Sequence, residues 1–252
     1  MKKYNKELIK KRFEHSFPTY NQNAPVQRLM AYYLAEKIKA YSGNIHPITL
    51  EIGCGTGFLT SCLVDFDIKK LLINDLSPEV INYIEKIAPH ASFLIGDMEV
   101  LRFENKFDLI ASNAVFQWAE DLDIMLKRFH KILKKGGTLA FTTFGENNFE
   151  EISKTTKKKL WYKSLKELKE LFSGFEIQYL EKTTEKMEFD TAKDVLKHIK
   201  HIGANAITTQ VWTKKDLIEF EKNYEIFCDK GKYILTYEPV YVVLQKITDV
   251  NI

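Results

Sequence analysis

The chain has 252 residues, 45% apolar, 13% aromatic and 28% charged, with a formal net charge of +3; this excludes an intrinsically disordered chain and suits one large domain with an appendage. No apolar run approaches the roughly 18 residues of a membrane helix, and the opening MKKYNKELIKKRF lacks the apolar stretch of a secretory signal. Cys54, Cys62 and Cys228, an odd number without CxxC spacing, indicate neither a disulfide framework nor a zinc site, so a cytoplasmic protein is expected, with no membrane or nucleic-acid partner.

In chain order, residues 4–16 and 24–41 predict two helices, separated by SFPTYNQNAP, where Pro18 and Pro25 break the pattern. A strand–helix rhythm follows. ITLEIG (48–53) predicts a strand, 58–65 a helix, KLLIND (70–75) a strand and 78–88 a helix with Pro78 in its first turn. SFLIGD (92–97) and FDLIASN (107–113) are the third and fourth strands, 121–134 is an amphipathic helix closed by Gly136 and Gly137, and TLAFTTF (138–144) is the fifth strand. Such alternation predicts a doubly wound parallel sheet. Beyond it, 149–172 reads as Lys-rich helix, 175–189 as a long strand, 191–201 and 213–227 as helices, and 232–246 as a last strand. An antiparallel edge hairpin with 191–231 inserted as a cap fits this order.

The turn after the first strand reads Glu51-Ile-Gly53-Cys-Gly55-Thr-Gly57. Its glycines permit positive φ and close backbone approach to a ligand, although a ligand-free βα turn would also use them. A dinucleotide fingerprint wants glycine where Phe58 stands. Glu51 beside the loop disfavours a diphosphate and favours a zwitterionic or cationic ligand. Asp75 closes strand two, where a carboxylate can accept from both ribose hydroxyls or cap the next helix, although Ser77 is the better cap. Asp97 closes strand three, where its side chain or the adjacent Met98 amide can reach an adenine amine, and Asn113 ends strand four. A glycine loop and three polar residues at four consecutive strand ends form one constellation.

Over residues 45–145 the sequence resembles the class I S-adenosylmethionine-dependent methyltransferases, with LEIGCGTG, NDLSPEVI, GDMEVL and FDLIASNAVFQW as the four motifs. RFEHSFPTYNQNAPVQ (12–27), AFTTF (140–144), HIGAN (201–205) and LTYEPVY (235–241) extend the resemblance to the malonyl-acyl-carrier-protein O-methyltransferases of biotin synthesis. The resemblance implies an α/β fold: a mostly parallel seven-stranded Rossmann-like sheet with an N-terminal helical lid (1–44), a cofactor core (45–145), a region of Lys-rich helices, strand six and helical cap (146–231), and a last antiparallel strand (232–252). It implies S-adenosylmethionine as cofactor, held by Tyr20, Gln27, Glu51, Gly53, Gly55, Gly57, Asp75, Leu76, Asp97, Met98, Asn113 and Trp118. It also implies methyl transfer to the free carboxylate of a malonyl thioester, which lets fatty-acid machinery elongate the ester toward pimeloyl.

A malonyl carboxylate is already ionised at pH 7, so no general base is required. Tyr20, Gln117, His201 and Tyr237 are the expected substrate-positioning residues, with Trp118 as a wall. His198 and His201 stand one helical turn apart but lack further ligand partners, and no metal is expected. Residues 48–125 carry 5 Lys/Arg against 13 Asp/Glu, whereas 1–47 carry 9 against 3 and 126–252 carry 23 against 18. A basic rim facing an acidic acyl-carrier protein is therefore expected at Lys157, Lys158 and Lys159, with malonyl-coenzyme A as a second possible substrate. Open alternatives are methylation of another small carboxylate or a quinone precursor, and a non-catalytic cofactor-binding protein.

Overall fold

The computed structural model describes residues 4–104, 106–157, 161–204 and 212–247. Helix α1 (Lys6–Asn23) starts at Asn5, whose side chain accepts from the Leu8 N–H, and α2 (Pro25–Ser42) starts on a proline whose fixed φ suits a first turn. The expected break at Pro18 does not occur: α1 runs through it and the chain turns only at Ala24. Phe17 is buried among Ile73, Val80 and Ile84, worth roughly 1.5–3 kcal/mol, which offsets much of the ~3 kcal/mol that an interior proline costs.

The strands β1 (Ile48–Ile52), β2 (Lys70–Asp75), β3 (Ser92–Ile95), β4 (Phe107–Ser112) and β5 (Leu133–Phe144) alternate with α3 (Phe58–Leu63), α4 (Ile81–Ile84) and α5 (Leu122–Ile132). Then come α6 (Glu150–Thr156), α7 (Leu165–Glu170), β6 (Phe175–Lys182), β7 (Glu185–Phe189), α8 (Ala192–His201), α9 (Lys214–Tyr224), β8 (Cys228–Asp229), β9 (Lys232–Tyr237) and β10 (Pro239–Lys246). The main sheet has seven strands in the order β3-β2-β1-β4-β5-β10-β6; β10 runs antiparallel to both neighbours, and the other pairings are parallel. This is the doubly wound, mostly parallel architecture expected. Gly136 and Gly137 lie inside β5 rather than closing α5.

Two expected long strands each divide. Residues 175–189 form β6 and β7, and residues 232–246 form β9 and β10; β7, β9 and β8 make a separate three-stranded sheet. The two breaks lie side by side, because Val240 pairs with Lys182 on one side and Tyr237 with Glu185 on the other. One two-stranded ribbon therefore leaves the main sheet and enters the small one. Glu238 clasps the bend: its buried carboxylate accepts from the Asn147 N–H (3.0 Å) and Nδ2 (3.0 Å) and from Lys182 Nζ (2.9 Å). The boundary expected at residue 232 thus falls at Glu238.

The expected 1–44 lid also divides. Leu34, Ala35 and Ile38 of α2 are buried with Leu59 and Leu63 of α3 against Leu109, Ala140 and Val243 of the sheet. On the opposite face α5 and α7 contribute Leu126, Phe129 and Leu168. Helix α2 is thus a layer of the core, and α1 alone lies across the strand ends. No helix among the described residues is long and apolar enough to cross a membrane.

Candidate active site

A cavity lies at the carboxyl ends of β1 to β4, where polar groups of successive strands converge. Gly53 and Gly55 line it, with φ of 68° and 52°. A Cβ on Gly53 would stand 2.4 Å from Val115 Cγ2, whereas one on Gly55 would meet nothing within 4 Å. Gly57 was expected at the ligand but does not line the cavity. Its missing Cβ makes room for Ile87 Cδ1, 2.5 Å away, so it serves the packing behind the loop.

Glu51 is buried and accepts from the Thr60 hydroxyl (2.7 Å); desolvation, reinforced by nearby Asp75, pushes its pKa up to about 7. Asp75 accepts from the Gly55 N–H (3.0 Å) and the Ser77 N–H (2.9 Å), and burial raises its pKa despite these bonds. Leu76, Asp97, Met98, Asn113, Trp118 and Tyr20 line the same space. Trp118 Nε1 is a buried donor with no partner among the described residues. An unpartnered indole N–H and the two acidic groups Glu51 and Asp75 suit a cationic, ribose-bearing ligand better than a diphosphate.

The roof is α1. Lys6, Ile9, Lys10, Phe13, Phe17 and Tyr20 line the cavity at spacings of three and four residues, one stripe of a helix. Polar ties run its length: the Tyr4 N–H to Glu120 (2.7 Å), Lys6 to Glu99 (2.6 Å) and Asp97 (3.5 Å), the Ser77 hydroxyl to Glu14 (2.6 Å), and the Thr56 hydroxyl to Asn21 (2.5 Å). Apart from Tyr20, sequence reasoning missed these residues. The stripe Ile9, Phe13, Phe17 was visible as amphipathicity, but Lys6 looked like one lysine among many.

Four other expected residues lie outside this cavity. Gln27 is buried on α2; its carbonyl accepts from Asn113 Nδ2 (2.9 Å) and its side chain lies beside Tyr237. The Tyr237 hydroxyl is also hydrogen-bonded to His198 Nε2, and Tyr237 belongs to β9 of the small sheet. His201 is exposed at the end of α8, whereas His198, one turn earlier, is buried with its pKa lowered to about 4 by desolvation. The histidine facing the interior is therefore His198. Gln117 donates to the Ala114 carbonyl (2.7 Å) and lines a separate groove with Trp161 and Lys163. Lys157 is exposed at the end of α6, while Lys158 and Lys159 lie outside the described residues. Among the described residues no group of three or more His, Cys, Asp or Glu could hold a metal.

The Methyltransferase domain family matches residues 50–141. Over 243 residues, covering 96% of this chain and 97% of the relative, the sequence is 37% identical to a malonyl-acyl-carrier protein O-methyltransferase of Calditerrivibrio nitroreducens. A protein of the same name from Acinetobacter baylyi is 35% identical over 249 residues, covering 96% of this chain and 97% of its own. Among solved structures, the N-methyltransferase NodS of Bradyrhizobium japonicum in complex with S-adenosyl-L-homocysteine superposes with a TM-score of 0.56 at 16% identity, over 94% of this chain and 98% of that one, a likeness of fold.

Proposed function

The chain belongs to the malonyl-acyl-carrier protein O-methyltransferase family, and from this premise we propose that it methylates the free carboxylate of malonyl-acyl-carrier protein, giving the ester that primes pimeloyl synthesis for biotin. S-adenosylmethionine is the cofactor and supplies an activated methyl group on a sulfonium. The observation that carries the reading in this molecule is the cavity over β1–β4, with buried Glu51, half-buried Asp75 and no dinucleotide fingerprint.

Gly53, Gly55 and Glu51 are assigned to the methionine end, Asp75 and Leu76 to the ribose, and Asp97 and Met98 to the adenine, where Lys6 shares the Asp97 carboxylate. Asn113, Tyr20 and Trp118 then stand toward the reacting end. The acceptor carboxylate needs no base. Transfer from a cation to an anion destroys charge, so a water-poor site strengthens the attraction that brings the two together. Closing the cavity falls to α1, which we assign as the lid; residues 45–145 form the cofactor core, and α6 to β9 carry the substrate cap. Gln27 and Tyr237 support the wall from behind, and Gln117 faces the neighbouring groove.

Exposed Lys157, with Lys158 and Lys159, is the proposed docking patch for the acidic carrier, and malonyl-coenzyme A the proposed second substrate. All three cysteines are free thiols, in keeping with a reducing cytoplasm. The test is mass spectrometry of malonyl-acyl-carrier protein incubated with the enzyme and S-adenosylmethionine. A gain of one methyl on the malonyl group is expected, and an unmodified carrier beside a folded, cofactor-bound enzyme would overturn the assignment.

A further inference from the structure

Thr142 lies near the end of β5, fully buried and outside the cavity lining. Its hydroxyl nonetheless works in both directions at one point: it donates to Asn113 Oδ1 (2.7 Å) and accepts the Ala114 N–H (2.8 Å). Those are the first two residues after β4, and Ala114 has a φ of 56°. That left-handed conformation is disfavoured for a residue with a Cβ and persists only where the surroundings over-determine it. Held this way, Ala114 turns its carbonyl to Gln117 Nε2 (2.7 Å), and Val115 fills the place that a Gly53 Cβ would occupy. Asn113, its amide oxygen fixed by Thr142, points Nδ2 at the Gln27 carbonyl of α2 (2.9 Å). The wall formed by Asn113, Ala114, Val115 and Trp118 is therefore locked to β5 through one hydroxyl.

We propose that Thr142 is a positioning residue for methyl transfer, acting through Asn113 and the left-handed Ala114 to hold the cavity wall against which donor and acceptor are aligned. The inference rests on the methyl-transfer reading above. Alignment is the main resource of a reaction that needs neither base nor metal, and a misplacement of about 1 Å can cost on the order of 100-fold in rate. Thr142→Val keeps the volume but leaves a buried N–H and an amide oxygen without partners; Thr142→Ser keeps the hydroxyl.

With malonyl-acyl-carrier protein as substrate, kcat of Thr142→Val should fall about tenfold or more, while KM for the carrier stays within about threefold. Thr142→Ser should recover kcat to within about threefold of wild type. A merely structural role would lower melting temperature without this split and without rescue at the assay temperature. A folded Thr142→Val with kcat within twofold of wild type, or a serine variant as slow as the valine variant, would overturn the proposal. Should Thr142→Val not fold by circular dichroism, Thr142→Cys, with a thiol that is a much weaker hydrogen-bonding group, is read by the same criteria. A wild-type enzyme that fails to methylate the carrier overturns both readings; an active enzyme insensitive at Thr142 overturns only this one.

Discussion

The cofactor side and the cap side are built by different kinds of contact. On the cofactor side each functional group follows its own strand: Gly53 and Gly55 follow β1, Asp75 ends β2, Asp97 follows β3 and Asn113 follows β4. A contiguous stretch supplies both the turn and the group it carries. On the cap side the groups meet through long-range packing. Tyr237 of β9, His198 of α8 and Gln27 of α2 come together although no short segment contains two of them. Local chemistry fixes the first region, and the second exists only once the two sheets are assembled.

The most severe test of that contrast is Gly53→Ala. It forces a Cβ into Val115 and a left-handed alanine into the loop, so stability should drop by about 1–3 kcal/mol and cofactor binding should be lost by calorimetry. Gly55→Ala meets no neighbour and should cost only about 1–2 kcal/mol from its φ; equal effects of the two would break the assignment of Gly53 to close approach. Next, Asp75→Ala should weaken S-adenosylmethionine binding by about 1.5–3 kcal/mol, with unchanged affinity in a folded variant arguing against the ribose role.

Tyr237→Phe sharpens the comparison from the cap side. It removes the partner of His198, so thermal unfolding should report a loss of about 0.5–1.5 kcal/mol, and cofactor affinity should hold. A large affinity loss would move Tyr237 into the cofactor site. The subtlest test is pH. Because the folded pKa of Glu51, about 7, lies above its unfolded value, the proton is held more tightly in the native state. Its contribution to stability is present below the ordinary carboxylate range and is lost as pH rises through about 7. Cationic-ligand binding runs the other way, tightening between pH 6 and 8 as the carboxylate ionises. Glu51→Gln should flatten both profiles, and wild-type affinity that is flat across this range would remove Glu51 from the ligand.

Much of this was legible in the residues. The strand–helix rhythm located β1 to β5, and the strand-end groups located the cavity, because each signal is local. The division of 175–189 and of 232–246 was not legible, since period-two alternation is the same whichever sheet a strand joins. Pro18 misled because a buried Phe17 offsets its cost only when α1 is docked. His201 was preferred to His198 although both sit on one helix, and only the packing of α8 decides which turn faces inward. Thr142 lay inside the AFTTF motif, but its role was not legible there, because it depends on two partners 28 and 29 residues earlier in the chain.

The bent ribbon also sets the mechanics of the molecule. Because β6 runs into β7 and β10 continues β9 across the clasp at Glu238, the small sheet is cantilevered from the main one by two strands and cannot swing without tearing backbone hydrogen bonds. Helix α1 has no such beam. Its one described chain connection is the pivot at Ala24, and along its length it is fastened by side chains alone, apart from the tie at Tyr4. Of the two structures flanking the strand ends, the cap is joined to the main sheet by continuous backbone, whereas α1 meets the strand ends through its side chains.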